Sequence, residues 1–210
     1  MPNGLQHCVH GAFSYTRPVE RIGILGGTFD PVHNAHLVAA LAARQQCALD
    51  RVVLVVARDP WQKHGQVVAT AEDRFAMVEA AIVGVSGLEA SRLELDRPGP
   101  TYTIDTVTSL RADDRELFLI VGSDVAARLD TWHRVDELRA GVTLAVVDRD
   151  DAATRAAPAG WRTAHVTMPR LDISSTDLRR RVAAGEPIDF LLPTGAADVL
   201  RARGLYTGGR

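Results

Sequence analysis

The chain alternates between short runs of apolar residues and longer stretches in which apolar positions recur at helical spacing. The runs are rich in Val, Ile and Leu on both faces, which is typical of strands buried in a parallel sheet between layers of helices. Strands are predicted at residues 22–25, 52–57, 88–95, 117–121, 144–147 and 162–168. Helices are predicted at residues 34–48, 71–83 and 193–203, and in segments that begin near residues 101, 123 and 174.

The order of these elements predicts the fold class. A strand, a glycine-rich turn, a helix and a second strand form a βαβ unit, and its crossover should be right-handed. Repetition of this unit predicts an α/β protein with a doubly wound parallel sheet. A length of 210 residues favours one domain, placed at residues 21–210 with a C-terminal helical portion. Residues 1–20 show no clear period and are predicted to form a mobile tail.

Composition narrows the class of protein. With 46% apolar and 24% charged residues, a soluble globular protein is expected. The apolar runs are far shorter than the ~18 residues that span a bilayer, so no membrane association is expected. A net charge of −2 gives no general attraction to nucleic acid. Cys8 and Cys47 have no spacing typical of disulfides or zinc, and a cytoplasmic location is expected.

Residues 21–36 carry the strongest chemical signal. They read RIGILGGTFDPVHNAH, an apolar strand followed by two glycines and the start of a helix. Gly26 and Gly27 let backbone N–H groups approach an anion, and the N-terminus of the helix adds free donors and the positive end of its dipole. The pattern predicts a site for nucleotide phosphates.

Two histidines belong to the same stretch. His33 and His36 are three residues apart, so their imidazoles fall on one face of the first helical turn. From there they could donate hydrogen bonds to a phosphorus centre as its negative charge builds. The alternative is that both residues merely cap and pack the helix. Their position directly after the glycine-rich turn favours the catalytic interpretation.

A second anion site is predicted at residues 173–179, which read ISSTDLR. Hydroxyl groups at the entrance of a helix and an arginine in its first turns supply backbone, hydroxyl and guanidinium donors in succession. A capping serine alone is a common signal. Combined with the first motif, it predicts that the two ends of a nucleoside triphosphate are held.

Weaker signals lie between the two motifs, and each has a structural alternative. Lys63, the sole lysine among 24 basic residues, follows the second strand and could hold a triphosphate or be a solvated loop residue. The hydroxyl-rich start of the helix at residues 101–106 could bind a ligand or only cap that helix. Gly122 and Asp124, after the strand at 117–121, could meet ribose hydroxyls or serve as an N-cap.

The two motifs together resemble the nucleotidyltransferase superfamily, whose signatures are an HxGH turn and an ISSTxxR helix start. Within it, the similarity points to the bacterial nicotinate mononucleotide adenylyltransferases. The intermediate segments PWQK at 60–63, PTYTIDT at 100–106 and GSD at 122–124, followed by Thr131 and Trp132, support this placement. The resemblance covers residue 21 to about residue 206 and implies a Rossmann-like fold.

The resemblance implies a reaction in which the phosphate of nicotinate mononucleotide attacks the α-phosphorus of ATP, with Mg²⁺, to give deamido-NAD and pyrophosphate. The implied catalytic residues are His33, His36 and Arg179. The implied ATP-binding residues are Gly26, Gly27, Thr28, Phe29, Lys63, Gly122, Asp124, Ile173, Ser174, Ser175 and Thr176. Thr103, Trp132 and His133 are implied for the pyridine nucleotide. The Mg²⁺ is expected on the triphosphate and no separate metal site is expected; Asp30 is expected to hydrogen-bond its own turn.

One position departs from the signature. Ala35 stands where the HxGH motif has glycine, and ATP binding would be weakened if that position required the closest backbone approach. Two alternatives are left: a related transferase with another acceptor, such as nicotinamide mononucleotide or phosphopantetheine, or a regulatory module that binds nucleotide without turnover. A Rossmann dehydrogenase is excluded because the first turn lacks GxGxxG. The sequence allows a homo-oligomer.

Overall fold

The computed structural model describes residues 19–59, 68–148 and 159–208. Its centre is a sheet of six parallel strands in the order β3-β2-β1-β4-β5-β6. The strands are β1 (Glu20–Gly27), β2 (Arg51–Val56), β3 (Leu88–Ser91), β4 (Arg115–Gly122), β5 (Thr143–Asp148) and β6 (Thr163–Thr167). The chain winds outward from β1 to one edge and from β4 to the other. The predicted doubly wound α/β fold is confirmed.

Helices cover both faces of the sheet. They are α1 (Asn34–Gln46), α2 (Ala71–Ala81), α3 (Thr103–Leu110), α4 (Ser123–Ala126), α5 (Val135–Gly141), α6 (Ser175–Ala184) and α7 (Thr194–Ala202). Alternate residues of a strand enter different cores: Leu54 packs with α1, α2, α6 and α7, whereas Val53 and Val55 pack with α3, α4 and α5. Within the described ranges, no helix is long and apolar enough to cross a membrane.

The C-terminal helices belong to the same layer as α1 and α2. A Cβ atom at Gly195 would lie 2.2 Å from the carbonyl oxygen of Ala80, so α7 can approach α2 this closely only because residue 195 is glycine. Arg203, which ends α7, pairs with Asp73 of α2 at 2.6 Å. The C-terminal portion therefore packs against the same core and brings the end of the chain toward β1.

Strand β1 is longer than predicted at both ends. Glu20, placed in the tail by the sequence, begins the strand and forms ion pairs with Arg51 and Arg115. Gly26 and Gly27 lie opposite Val55 and Val56 of β2, so the glycines are the last residues of the strand and the turn follows them. Residues 1–18, the rest of the predicted tail, lie outside the described residues.

Other boundaries differ because of local hydrogen bonding. β3 ends at Ser91, whose hydroxyl accepts a hydrogen bond from the N–H of Leu93 and turns the chain. The helix predicted between residue 123 and Trp132 is instead the four-residue α4 followed by a 3₁₀ turn at Leu129–Thr131. The short helix α5 was not predicted from the sequence.

Candidate functional site

The predicted site residues gather where the strand order reverses. Ile24 of β1 is in register with Leu119 of β4, and each strand continues for three residues, to Gly27 and Gly122. Both glycine ends therefore lie at the carboxyl edge of the sheet, beyond the last paired residues of β1 and β4. In doubly wound sheets, ligands bind in the crevice outside this edge, at the point where the order reverses.

The two glycines of β1 have different surroundings. A Cβ atom at Gly27 would lie 2.9 Å from the ring of Phe29, so the buried aromatic ring requires a glycine there. A Cβ atom at Gly26 would meet nothing within 4 Å. The backbone of Gly26 is thus open to solvent at the strand end, where a ligand can approach it closely.

His33 and His36 lie at the N-terminus of α1, as predicted. His33 is the N-cap residue, and its ring stacks on that of His36 with centroids 3.8 Å apart and an interplanar angle of 25°. The backbone N–H of His33 donates to Nδ1 of His36 at 3.2 Å. Because Nδ1 acts as an acceptor, the neutral His36 ring carries its proton on Nε2. His36 therefore has an Nε2–H group to donate.

Ala35, between the two histidines, is only 4% exposed. Its methyl group is covered by the protein, so a ligand cannot reach it. The departure from the HxGH signature thus leaves the surface of the site unchanged.

Asp30 follows the turn and is 3% exposed. Its carboxylate accepts hydrogen bonds from the N–H groups of Val68 and Ala69, at 2.9 and 3.1 Å, and from the hydroxyl of Tyr206 at 2.7 Å. The expectation that Asp30 bonds its own turn was wrong, because the start of α2 and the end of the chain both come within reach of it. Asp30 connects three separate segments behind the turn.

A buried arginine supports the same turn. Arg74 of α2 is 1% exposed. Its guanidinium donates to carbonyl groups just after β1, just after β2 and just before α2. The acceptors are Thr28 and Ala57, both at 2.7 Å, Arg58 at 3.2 Å and Ala69 at 3.3 Å. Burial lowers the pKa of Arg74, with the negative charge of Asp30 opposing that effect. Arg74 thereby fixes the ends of β1 and β2 relative to α2.

The second motif touches the first. The hydroxyl of Ser175 donates to the carbonyl of Pro31 at 2.9 Å, and Nη1 of Arg179 donates to the carbonyl of Asp30 at 2.7 Å. Ser174 caps α6 by accepting from the N–H of Asp177, and Thr176 lies exposed beside it. The N-terminus of α6 and the guanidinium of Arg179 therefore lie next to the turn that leads to His33, with Ile173 just before the cap.

The residues predicted for the pyridine nucleotide lie on the face of the sheet that α3, α4 and α5 cover. Tyr102 is the N-cap residue of α3, directly before Thr103, and its ring lies 4.3 Å from that of His133. Trp132 is half-buried and packs against the core beneath α3. The contact between the two rings brings the start of α3 against the loop that carries Trp132 and His133.

A buried carboxylate lies under this region. The hydroxyl of Thr106 in α3 donates to Glu94 at 2.7 Å. Burial raises the pKa of Glu94, and the hydrogen bonds from Thr106 and Thr101 counteract part of that effect. Glu94 thus anchors both the start and the first turn of α3.

The remaining predicted residues are Gly122 and Asp124, at the end of β4, and Lys63. The carboxylate of Asp124 folds back toward Gly122, where Oδ1 would lie 2.7 Å from an added Cβ atom, and its side chain is 73% exposed. An exposed carboxylate at the end of β4 can accept hydrogen bonds from ribose hydroxyls. Lys63, predicted to contact the triphosphate, lies outside the described residues.

Sequence reasoning missed Tyr102, Arg74 and Tyr206 as contributors to the site. Arg74 had a usable signal, because it shares the apolar stripe of α2 with Met77, Val78 and Ala81. A charged residue on a buried stripe needs partners. Tyr206 had no such signal, since its contact with Asp30 joins residues 176 positions apart.

Comparisons with known proteins agree with this geometry. The model of a family described as cytidylyltransferase-like matches residues 24–181. The chain is 43% identical over 192 residues to a protein of Saccharopolyspora erythraea named "Probable nicotinate-nucleotide adenylyltransferase", with 90% of each chain covered. It is 44% identical over 191 residues to a protein of the same name in Streptomyces coelicolor, which covers 88% of this chain and all of the relative.

A solved structure has the same fold. The nicotinic acid mononucleotide adenylyltransferase of Plasmodium falciparum, complexed with NaAD, superposes with a TM-score of 0.73 and covers 90% of this chain and 98% of its own. At 17% sequence identity this likeness establishes the architecture.

Proposed function

Because this chain belongs to the cytidylyltransferase-like family, and its relatives of over 40% identity are named as nicotinate-nucleotide adenylyltransferases, we propose that it catalyses that reaction. It transfers the adenylyl group of ATP to the phosphate of nicotinate mononucleotide, forming deamido-NAD and pyrophosphate. The observation that carries the proposal is the direct contact between the two motifs, Arg179 on Asp30 and Ser175 on Pro31.

The reaction is a phosphoryl-group displacement. A phosphate oxygen of nicotinate mononucleotide bonds to the α-phosphorus of ATP, and the bond from that phosphorus to the oxygen bridging the β-phosphorus breaks. The electron pair leaves with pyrophosphate. No general base is needed, since the attacking phosphate is already ionised at neutral pH. Catalysis then depends on positioning the two substrates and stabilising the negative charge.

The histidines supply charge stabilisation at the reacting phosphorus. His36 donates from Nε2, because Nδ1 is engaged by the backbone of His33. Its orientation is set before substrate binds, which avoids reorganisation during the reaction. His33, stacked on it, completes the pair. Gly26, Gly27, Thr28 and Phe29 form the backbone surface along which the phosphates lie.

The leaving pyrophosphate is assigned to α6. The first N–H groups of a helix have no intrahelical acceptor, and Ser174, Ser175 and Thr176 occupy this end of α6. Arg179 supplies positive charge for the β- and γ-phosphates, with Ile173 as the approach to the helix. Lys63, which follows β2 in the sequence, is assigned to the same phosphates.

Mg²⁺ is proposed to accompany ATP, bound by triphosphate oxygens and water as is usual for this ion. Asp30 is unsuited as a ligand, because its carboxylate already accepts from Tyr206, Val68 and Ala69. When bound, the ion would neutralise charge on the β- and γ-phosphates.

The two ends of the dinucleotide are assigned to separate groups of residues. Gly122 and Asp124 receive the adenylyl ribose, and Thr103, Trp132 and His133 receive the pyridine ring. An aromatic surface of Trp132 beside a helix start suits a flat heterocycle that carries a polar substituent. The cytoplasmic location and a homo-oligomer stay predictions.

The test is a substrate comparison with purified full-length protein, ATP and Mg²⁺. Nicotinate mononucleotide, nicotinamide mononucleotide and phosphopantetheine are supplied separately, pyrophosphate release is followed, and the product is identified by mass. We expect deamido-NAD and the highest kcat/KM with nicotinate mononucleotide. A clear preference for another acceptor would assign a different transferase, and ATP binding without turnover would indicate a regulatory module.

A further inference from the structure

The hydroxyl of Tyr206 connects the end of the chain to the turn of the first motif. It donates to Oδ1 of Asp30 at 2.7 Å, although the two residues are 176 positions apart. Tyr206 adopts a backbone φ of +62°, in the left-handed region that is unfavourable for a residue with a side chain. Such strain persists where the surrounding structure requires it, and it frequently marks a functional position.

Asp30 transmits this contact to Arg179. Nη1 of Arg179 donates to the carbonyl of Asp30 at 2.7 Å and lies 3.7 Å from Oδ2 of the carboxylate. The guanidinium thus lies close to the carboxylate, but its hydrogen bond goes to the backbone. Nη2 of Arg179 donates to the hydroxyl oxygen of Thr176 at 3.4 Å, and the side chain is 22% exposed.

Three donors hold the Asp30 carboxylate in place: Tyr206 and Ala69 on one oxygen and Val68 on the other. Four of the five N–H groups of the Arg74 guanidinium already donate to carbonyl groups, so this side chain is held in place. If the hydroxyl of Tyr206 were removed, the nearby cation free to move closer would be Arg179. Movement toward Asp30 would take its charge away from the crevice.

We propose that Tyr206 is a positioning residue for the pyrophosphate end of ATP, which acts through Asp30 on Arg179. By completing the hydrogen bonds of the carboxylate, the tyrosine keeps Nη1 of the arginine on the backbone carbonyl of Asp30 and Nη2 beside Thr176, at the helix start assigned to the phosphates. The assignment of Arg179 to those phosphates rests on the proposed function; the hydrogen-bonded chain from Tyr206 to Arg179 does not.

The electrostatics of Tyr206 and Asp30 favour a hydrogen bond that is always formed. Burial raises the pKa of Tyr206, and the hydrogen bond to Asp30 and the charge of Asp30 raise it further. The phenol therefore remains protonated throughout the physiological range and acts as a constant donor. The contact is a permanent structural element of the site.

The test compares Tyr206→Phe with Thr207→Val in the full-length protein. Tyr206→Phe removes the hydroxyl and keeps the ring. Thr207→Val removes the hydroxyl of the next residue, which donates to the carbonyl of Gly204 and not to Asp30. ATP binding is measured by calorimetry without acceptor. We expect Tyr206→Phe to raise the Kd of ATP by about fivefold or more, with the KM of nicotinate mononucleotide unchanged, and Thr207→Val to leave both as in the wild type.

A second pair of variants separates positioning from loss of stability. If the tyrosine acts through Arg179, then Tyr206→Phe has no further effect on the Kd of ATP in an Arg179→Ala background. Equal effects in both backgrounds, or an unchanged Kd in Tyr206→Phe, would overturn the proposal. Failure of adenylyl transfer with intact ATP binding would instead refute the proposed function, because the calorimetric comparison needs no acceptor.

Discussion

The backbone N–H of His33 donates to Nδ1 of His36 at 3.2 Å, and the two imidazole rings stack 3.8 Å apart. This relationship makes Nε2 the donor atom of His36. Replacement by alanine removes a donor that stabilises the transition state, so we expect His36→Ala to lower kcat by about 10²- to 10³-fold. Steady-state kinetics, with circular dichroism to verify folding, measures the effect.

Two further variants test which nitrogen acts. The amide nitrogen of glutamine can reach the position of Nε2, whereas that of asparagine lies nearer to Nδ1. His36→Gln should therefore retain more activity than His36→Asn. The reverse order, or near-normal turnover in His36→Ala, would remove the Nε2 donor from catalysis.

The buried methyl group of Ala35 predicts an effect on stability alone. Glycine in a helix costs about 1 kcal/mol relative to alanine, and loss of a buried methyl group adds a similar amount. Ala35→Gly should lower the free energy of unfolding by about 1–2 kcal/mol in denaturant titrations, with the KM of ATP unchanged. A lower KM would mean that the missing glycine of the signature does limit ATP binding.

Arg74 is expected to dominate the stability of the strand ends. Truncation to alanine removes the donor of one buried carbonyl group, at Ala69, and of two part-buried ones, at Thr28 and Ala57, at a cost of about 1–3 kcal/mol each. We expect Arg74→Ala to lose at least ~3 kcal/mol in urea unfolding. As a control, Arg201→Ala removes an exposed ion pair with Asp189 and should cost less than about 1 kcal/mol. Similar losses in both variants would contradict this assignment.

The sequence was sufficient to predict the sheet and the two motifs, because both depend on local patterns. Apolar runs define strands, and the carboxyl ends of parallel strands meet at one edge. The histidine pair followed from helical spacing. The contact of Ser175 and Arg179 with the first turn agrees with the prediction that the two motifs hold the two ends of one triphosphate.

The partners of Asp30 could not be predicted in the same way. Its carboxylate bonds the N–H groups of Val68 and Ala69, which have no side-chain signal, and a tyrosine near the end of the chain. These contacts depend on how α7 packs on α2, which Gly195 permits through its close approach to Ala80. Long-range packing of this kind produces no repeated sequence pattern, and only a single residue such as Gly195 reflects it.

Glu94 should make part of the stability depend on pH. Its pKa is raised in the folded protein by burial, so the folded state holds its proton at a pH where the unfolded state has lost it. Its contribution is fully present below the unfolded pKa and is lost as pH rises through the folded pKa. Glu94→Gln keeps an acceptor for Thr106 and removes this titration. As pH rises from the ordinary glutamate range through the raised folded pKa, unfolding free energies of the wild type should fall relative to those of Glu94→Gln; a constant difference would contradict the direction of the shift.

Trp132 is expected to determine affinity for the acceptor and not for ATP. Stacking of a base on an aromatic side chain contributes about 1–3 kcal/mol, so Trp132→Ala should raise the KM of nicotinate mononucleotide by roughly 5- to 150-fold. Trp132→Phe retains an aromatic face and should recover part of the loss, which separates stacking from simple packing against the core beneath α3. The Kd of ATP, measured without acceptor, serves as the internal control because the adenylyl ribose is assigned to Gly122 and Asp124. If both substrates were weakened equally, Trp132 would be a packing residue and the pyridine ring would have to bind elsewhere along the strand edge.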